Sequence, residues 1–104
     1  MNQTDILEIL KIDVQISTMA YDLYLGKLVN LAKESIEREG IVLNITGGTE
    51  VSPEYEEEDA MLIEMYAAYL YRKRKEDDAP MPRMLRYALN NKLFQQKAQV
   101  ETDG

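Results

Sequence analysis

Apolar residues recur at helical spacing along most of the chain. The first such stretch predicts a short helix from Asp5 to Lys11, with Thr4 as its N-cap. The second predicts a long helix that begins near Ser17, or a few residues earlier, and runs to Glu39. Gly40 stands where a C-terminal glycine cap is expected. The second helix carries its apolar residues on one face, which indicates packing against a core.

Two further helices are predicted in the second half of the chain. Ser52 and Pro53 suit the N-cap and first position of a third helix, which is predicted to end near Lys75. Residues 61–71 are apolar nearly all round, as in a helix that is covered on several sides. A fourth helix is predicted from Pro82 to Lys97, after a turn that contains two prolines. Residues 98–104 show no apolar pattern and are predicted to be a disordered tail.

The segment between the second and third helices has a different character. It is rich in β-branched residues around Gly47 and Gly48, which predicts a short β-hairpin or an extended loop. Two strands alone are marginally stable in water, so we expect such a hairpin to be mobile unless another surface, such as a neighbouring chain, packs on it. The predicted fold is therefore all-α: one domain over residues 1–97, with three to four helices in a small bundle and this excursion. The predicted docking arm consists of Ile41, Val42, Leu43, Ile45 and Val51.

Composition narrows the possible chemistry. The 104 residues include no Cys and no His, which excludes thiol and imidazole catalysis, disulfides and zinc sites built on these residues. No phosphate-binding glycine loop and no nucleophile motif occurs. We therefore expect no enzyme activity, no cofactor and no metal. No apolar run reaches the ~20 residues that span a bilayer, and the start lacks the features of a secretion signal, so we expect a protein made in the cytoplasm with no membrane partner.

The charge is unevenly distributed. The net charge is −7, but residues 1–70 hold 4 cations and 14 anions, whereas residues 71–104 hold 8 cations and 5 anions. Such polarity suits head-to-tail contacts between identical subunits. Neighbouring acidic residues diverge around a helix, which disfavours a metal site or a catalytic carboxylate pair. The candidate contact residues are Glu54, Glu56, Glu57, Glu58 and Asp59 on the acidic side, and Arg72, Lys73, Arg74, Lys75, Arg83 and Arg86 on the basic side.

Two stretches resemble a known family. They are the Tyr-x-x-Tyr-Leu-Tyr-Arg-Lys-Arg run at 66–74 and Met-Pro-Arg-Met-Leu-Arg-Tyr-Ala-Leu-Asn-Asn at 81–91. With the order of the predicted elements over roughly residues 4–97, they resemble the small head-tail connector proteins (portal adaptors) of tailed bacteriophages and of prophages in Gram-positive bacteria.

The resemblance implies a structural adaptor that forms a ring under the portal of the capsid, joins the capsid to the tail and lines the DNA passage. The implied partners are further copies of the chain, the portal protein, a head-closure or tail-completion protein, and DNA that passes without specific binding. The implied location is the head-tail junction of a virion assembled in a bacterial host. Roles of individual residues do not carry over.

Two alternatives stay open. The first is a small helical DNA-binding regulator whose last helix would lie on DNA through Arg83, Arg86, Lys92 and Lys97, although a net charge of −7 argues against it. The second is a carboxylate enzyme centred on Glu64, the one acid within the apolar middle of the third helix. The less demanding interpretation of Glu64 is a pair with a cation or a place at the edge of the core.

Overall fold

The protein is mostly helical, with one small two-stranded sheet. The fold is that of a computed structural model, which describes the backbone of residues 1–103 and the side chains of residues 1–98. The predicted small helical bundle is confirmed, but the hairpin means that the protein is not purely α. The elements are α1 (Gln3–Asp13), a 3-10 turn (Met19–Tyr21), α2 (Asp22–Arg38), β1 (Ile45–Gly48), β2 (Pro53–Tyr55), α3 (Glu57–Lys75) and α4 (Arg83–Asp103).

Helix α3 is the centre of the bundle and contacts the other three helices. Its small residues Ala60, Ala67 and Ala68 are almost fully buried and allow the neighbouring helices to approach closely, while Leu62 and Ile63 fill the space between them. The prediction that the third helix is covered on several sides is therefore confirmed. The other helices contribute one buried face each: Ile6 and Leu10 from α1; Leu25, Leu28, Val29, Ala32 and Ile36 from α2; Leu85 and Leu89 from α4.

The ends of the first two helices have specific caps. Asn2, rather than Thr4, caps α1 through a capping box: the Asn2 side chain accepts from the Asp5 N–H at 2.9 Å, and the Asp5 carboxylate accepts from the Asn2 N–H at 3.1 Å. Thr18 caps the 3-10 turn that precedes α2. Gly40 lies just beyond α2 with a φ of +95°, so the predicted glycine cap is confirmed.

The predicted start of α3 is wrong. Pro53 lies in β2 instead, and the helix begins at Glu57 with Glu56 at its N-cap. The reason is tertiary: Tyr55 is only 7 % exposed, and its N–H donates to the carbonyl of Met1 at 2.8 Å, which keeps the chain extended up to this point. Pro53 is compatible with a strand here because it lies at the strand end, where its missing N–H is tolerated.

Helix α4 also differs from its prediction. It extends to Asp103, so the boundary predicted at Lys97 is wrong. The tail predicted at 98–104 overlaps this extension of the helix. The side chains of residues 99–103 and the whole of Gly104 lie outside the described residues. Its disorder stays a prediction.

The hairpin is built differently from the expected Gly-Gly turn. Gly47 pairs with Glu54 and Gly48 with Pro53, with a β-bulge between Ile45 and Gly47. The turn itself follows at residues 49–52, where the Thr49 N–H donates to the Ser52 carbonyl at 3.1 Å. Gly48 has a φ of +81°, and a Cβ there would lie 2.3 Å from the Ser52 oxygen, so only glycine fits.

Replacing Gly48 with alanine is expected to destabilise the hairpin. The positive φ alone costs an L-residue about 1–2 kcal/mol, and the contact with Ser52 adds to this. Amide hydrogen exchange should lose protection at residues 45–55 while the helices keep theirs. The control is Gly26→Ala in α2, where a Cβ meets nothing within 4 Å and the thermal midpoint should rise by the equivalent of about 0.5–1 kcal/mol. Unchanged protection in Gly48→Ala contradicts this account of the turn.

Candidate interaction surfaces

The predicted acidic contact residues do not all lie on one surface. Glu54 is exposed in β2, and Glu56, Glu57 and Glu58 are exposed at the start of α3. Asp59 is different: it is fully buried and cannot form part of a contact surface. The helical turn of 100° per residue directs Asp59 into the core, while Glu57 and Glu58 face solvent. This member of the predicted set is therefore corrected to a structural residue.

The buried Asp59 links three elements of the fold. One carboxylate oxygen lies 2.8 Å from the Nζ atom of Lys92 in α4, and the other accepts the backbone N–H of Asn44 at 2.8 Å. Burial alone lowers the pKa of Lys92, but the hydrogen bond and the charge of Asp59 outweigh it and raise this pKa above its ordinary value. Lys92 is only 8 % exposed, so it does not offer the DNA contact that the regulator alternative assigns to it.

The predicted docking arm divides into a base and an exposed part. Ile41 and Leu43 are 2 % and 6 % exposed, so these two are corrected to core residues that anchor the segment. Val42, Ile45 and Val51 are 65 %, 63 % and 94 % exposed. We use the name arm for residues 41–56, whose base is fixed to α4 as well. The Gln96 side chain accepts from the Val42 N–H at 3.0 Å and donates to the Val42 carbonyl at 2.7 Å.

The predicted basic contact residues lie at the end of α3 and the start of α4, and most have partners within the chain. Arg72 forms a salt bridge of 3.1 Å with Asp13, and Arg86 pairs with Glu39. The remaining cations of α3 lie over aromatic rings: Lys73 over Tyr69, Arg74 over Tyr24 and Lys75 over Tyr71, at 4.4 to 5.8 Å from the ring centres. All except Arg86 stay largely exposed, so they remain available for contacts with other molecules.

Helix α4 has an exposed apolar face that the sequence analysis did not predict. Met84, Tyr87 and Phe94 are 75 %, 61 % and 70 % exposed. Together with Asn91 they follow a spacing of three, four and three residues, which places them on one side of the helix. Leu85 and Leu89 occupy the opposite side and are fully buried. The repeat itself was the signal in the sequence that could have revealed a second apolar face.

The second feature that sequence reasoning did not resolve is the surroundings of Glu64. This carboxyl is 3 % exposed and lies against Asp13 at the end of α1, which in turn pairs with Arg72. The pKa of Glu64 is raised to about 8. Burial is the largest cause, the hydrogen bond to Asp13 and the charge of Asp13 act in the same direction, and the charge of Arg72 opposes them. Glu64 therefore does not lie at the edge of the core but is buried within it.

A groove lies between α3 and α4. It has a volume of about 350 Å³ and is lined by Met61, Leu62, Met65 and Ala88, with a polar rim. Among the side chains of residues 1–98, no group of three or more metal-ligating residues converges. None of the helices in residues 1–103 combines the length and the apolar content needed to cross a membrane.

Comparison of the chain with protein-family models, with curated proteins and with solved structures gave no match.

Removing the charge that faces Asp59 is expected to be costly. Lys92→Met leaves a buried carboxylate without its cation and should destabilise the protein by about 3–5 kcal/mol in denaturant unfolding. Asp59→Asn combined with Lys92→Met should recover much of this loss, because the amide oxygen still accepts the Asn44 N–H. The matched control is the exposed Lys97→Met, which should change stability by less than about 0.5 kcal/mol. A double variant as unstable as Lys92→Met contradicts this assignment.

Glu64 predicts a stability that decreases as the pH rises. Its pKa of about 8 in the folded protein lies above the ordinary value of 4.5, so between these values the folded state holds a proton that the unfolded state has lost. The contribution is complete at low pH and declines as the pH rises to about 8. Glu64→Gln replaces the carboxyl group with an amide that stays neutral at every pH. The variant should therefore show a smaller fall in thermal midpoint between about pH 5 and pH 9. The exposed Glu8→Gln should retain the fall; a wild-type slope in Glu64→Gln contradicts the prediction.

Proposed function

We propose that the protein is a non-enzymatic structural adaptor that assembles into a ring under the portal of a phage or prophage capsid, joins the capsid to the tail and lines the DNA passage. Its partners in this proposal are further copies of itself, the portal protein and a head-closure or tail-completion protein, at the head-tail junction of the virion. The resemblance of residues 66–74 and 81–91 to small head-tail connectors supports this choice of class.

The observation that carries the proposal is the amount of apolar surface left uncovered. Eleven large apolar side chains within residues 1–98 are exposed, in a chain with only 104 residues. They cluster along the sequence in three groups: residues 12–31, residues 42–51 and residues 84–94. Scattered apolar residues are normal on a surface, but several groups of this kind are typical of proteins that bury them against partners. A subunit inside a ring needs at least two such contacts.

The distribution of charge supports the same proposal. Residues 1–70 carry a net charge of −10 and residues 71–104 carry a net charge of +3. The acidic part of one copy therefore attracts the basic part of a neighbouring copy. A contact between two different patches is heterologous and closes into a ring when the rotation permits. The excess of acid also suits a channel wall along which DNA moves without adhering.

The DNA-binding alternative has less support. Of the four cations that it requires, Lys92 is buried against Asp59 and Arg86 pairs with Glu39. Only Arg83 and Lys97 then remain on α4 for phosphates, which is few for a helix that binds nucleic acid mainly through charge.

The test is assembly with the portal protein. Light scattering coupled to size-exclusion chromatography should show a complex that contains the portal ring and several copies of this chain, and negative-stain images should show a second ring on the portal. Val51→Asp places a charge on the most exposed apolar side chain and should reduce the number of bound copies. The matched control, Glu8→Gln, should bind as the wild type does. A chain that stays monomeric and does not associate with the portal contradicts the proposal.

A further inference from the structure

Helix α4 carries an apolar stripe with no partner in its own chain. The stripe consists of Met84, Tyr87, Asn91 and Phe94, and its three apolar members are 61–75 % exposed. Aromatic side chains of this kind cover about 150–250 Å² each, so the stripe exposes roughly 400 Å². Exposed apolar patches of this size commonly mark interaction sites.

The arm also exposes apolar side chains. Val42, Ile45 and Val51 in the arm are more than 60 % exposed, and the whole of β1 is exposed. A two-stranded hairpin is marginally stable in water unless something packs against it. Its base is fixed by Gln96 and Asp59, whereas the turn at residues 49–52 is held only by hydrogen bonds within the turn.

The two surfaces carry opposite charges. From residue 39 to residue 71 the chain contains eight acids and no cation, and from residue 79 to residue 100 it contains four cations and no acid. Two of those cations, Arg86 and Lys92, are paired with acids of their own chain. Arg83 and Lys97 are exposed and lie on the helix at one side of the stripe, while Glu50 and Glu54 are exposed beside the arm's turn.

We propose that the arm of one copy docks on the α4 stripe of the next copy, with Val51 and Ile45 against Tyr87 and Phe94 and with Glu50 and Glu54 near Arg83 and Lys97. This inference rests on the proposed function, because the arm-to-α4 contact would join neighbouring subunits of the ring. Each copy then uses its arm on one neighbour and its α4 on the other, which is the heterologous geometry that a ring requires.

Charge and area favour this occupant over a second α4. Two α4 helices bring like charges together, because the helix carries four cations and no acid before residue 101. The stripe also offers only about half of the ~800 Å² per partner that a standard stable interface buries. A single arm-to-α4 contact is therefore weak, and it gains strength when ring closure engages both surfaces of every copy.

Site-directed disulfide formation tests the contact without requiring a stable complex. The chain has no cysteine, so each introduced thiol is unique. Ser52→Cys places a thiol beside Val51, and Asn91→Cys places one within the stripe while keeping its three apolar members; both sites are exposed. The two variants carry different tags, are mixed and are oxidised, and the control replaces Asn91→Cys by Lys27→Cys, an exposed site on α2. The expected result is a 52–91 product several-fold above both the 52–27 product and the 91–91 product.

Charge exchange adds a second requirement. Arg83→Glu with Lys97→Glu in the Asn91→Cys chain should lower the 52–91 yield, and Glu50→Lys with Glu54→Lys in the Ser52→Cys chain should restore it. A 52–91 yield no higher than the 52–27 yield overturns the inference, and so does a dominant 91–91 product, which indicates α4 against α4. The proposed function and the proposed contact can fail separately. An enriched 52–91 product without portal association contradicts only the function. Portal association without an enriched 52–91 product contradicts only the contact.

Discussion

The arrangement of the surface features depends on the buried carboxylate of Asp59. It binds the ammonium of Lys92, which holds α4 against α3, and it accepts the Asn44 N–H, which fixes the base of the arm. A buried charge is unfavourable unless it is paired and hydrogen-bonded, so the carboxylate is satisfied only when both elements are in place. One residue of the acidic segment thus sets the positions of α4 and the arm, which carry two of the three groups of exposed apolar residues.

Much of the architecture could be predicted from the sequence. Helical spacing indicated four helices, and the all-round apolar character of residues 61–71 identified the central one. The cap at Gly40 was predictable because glycine in a left-handed conformation is a local requirement. What failed depends on tertiary contacts: the burial of Tyr55 and its bond to Met1 override the local tendency of Ser52 and Pro53 to begin a helix.

The candidate site was less predictable for the same reason. The five acids of residues 54–59 look alike in the sequence, yet Asp59 is fully buried. Its direction on α3 distinguishes it from Glu57 and Glu58, and that direction depends on where the helix packs. Similarly, Ile41 and Val42 are adjacent β-branched residues, and one belongs to the core while the other faces solvent. The exposed stripe of α4 was present in the spacing of Met84, Tyr87 and Phe94, but a helix with two apolar faces does not reveal which one the protein itself covers.

The bonds between Gln96 and Val42 have a consequence for the effect of salt. This contact uses a neutral amide that pairs with both backbone groups of Val42, as a neighbouring strand does, and no charge is involved. The other contact that fixes the arm is the bond from the Asn44 N–H to the Asp59 carboxylate, which is buried and therefore poorly screened. Exposed acids such as Glu50 and Glu54 and exposed cations such as Arg83 and Lys97 are fully accessible to counterions. Counterions therefore act on these exposed charges and leave the two contacts at the base of the arm unchanged.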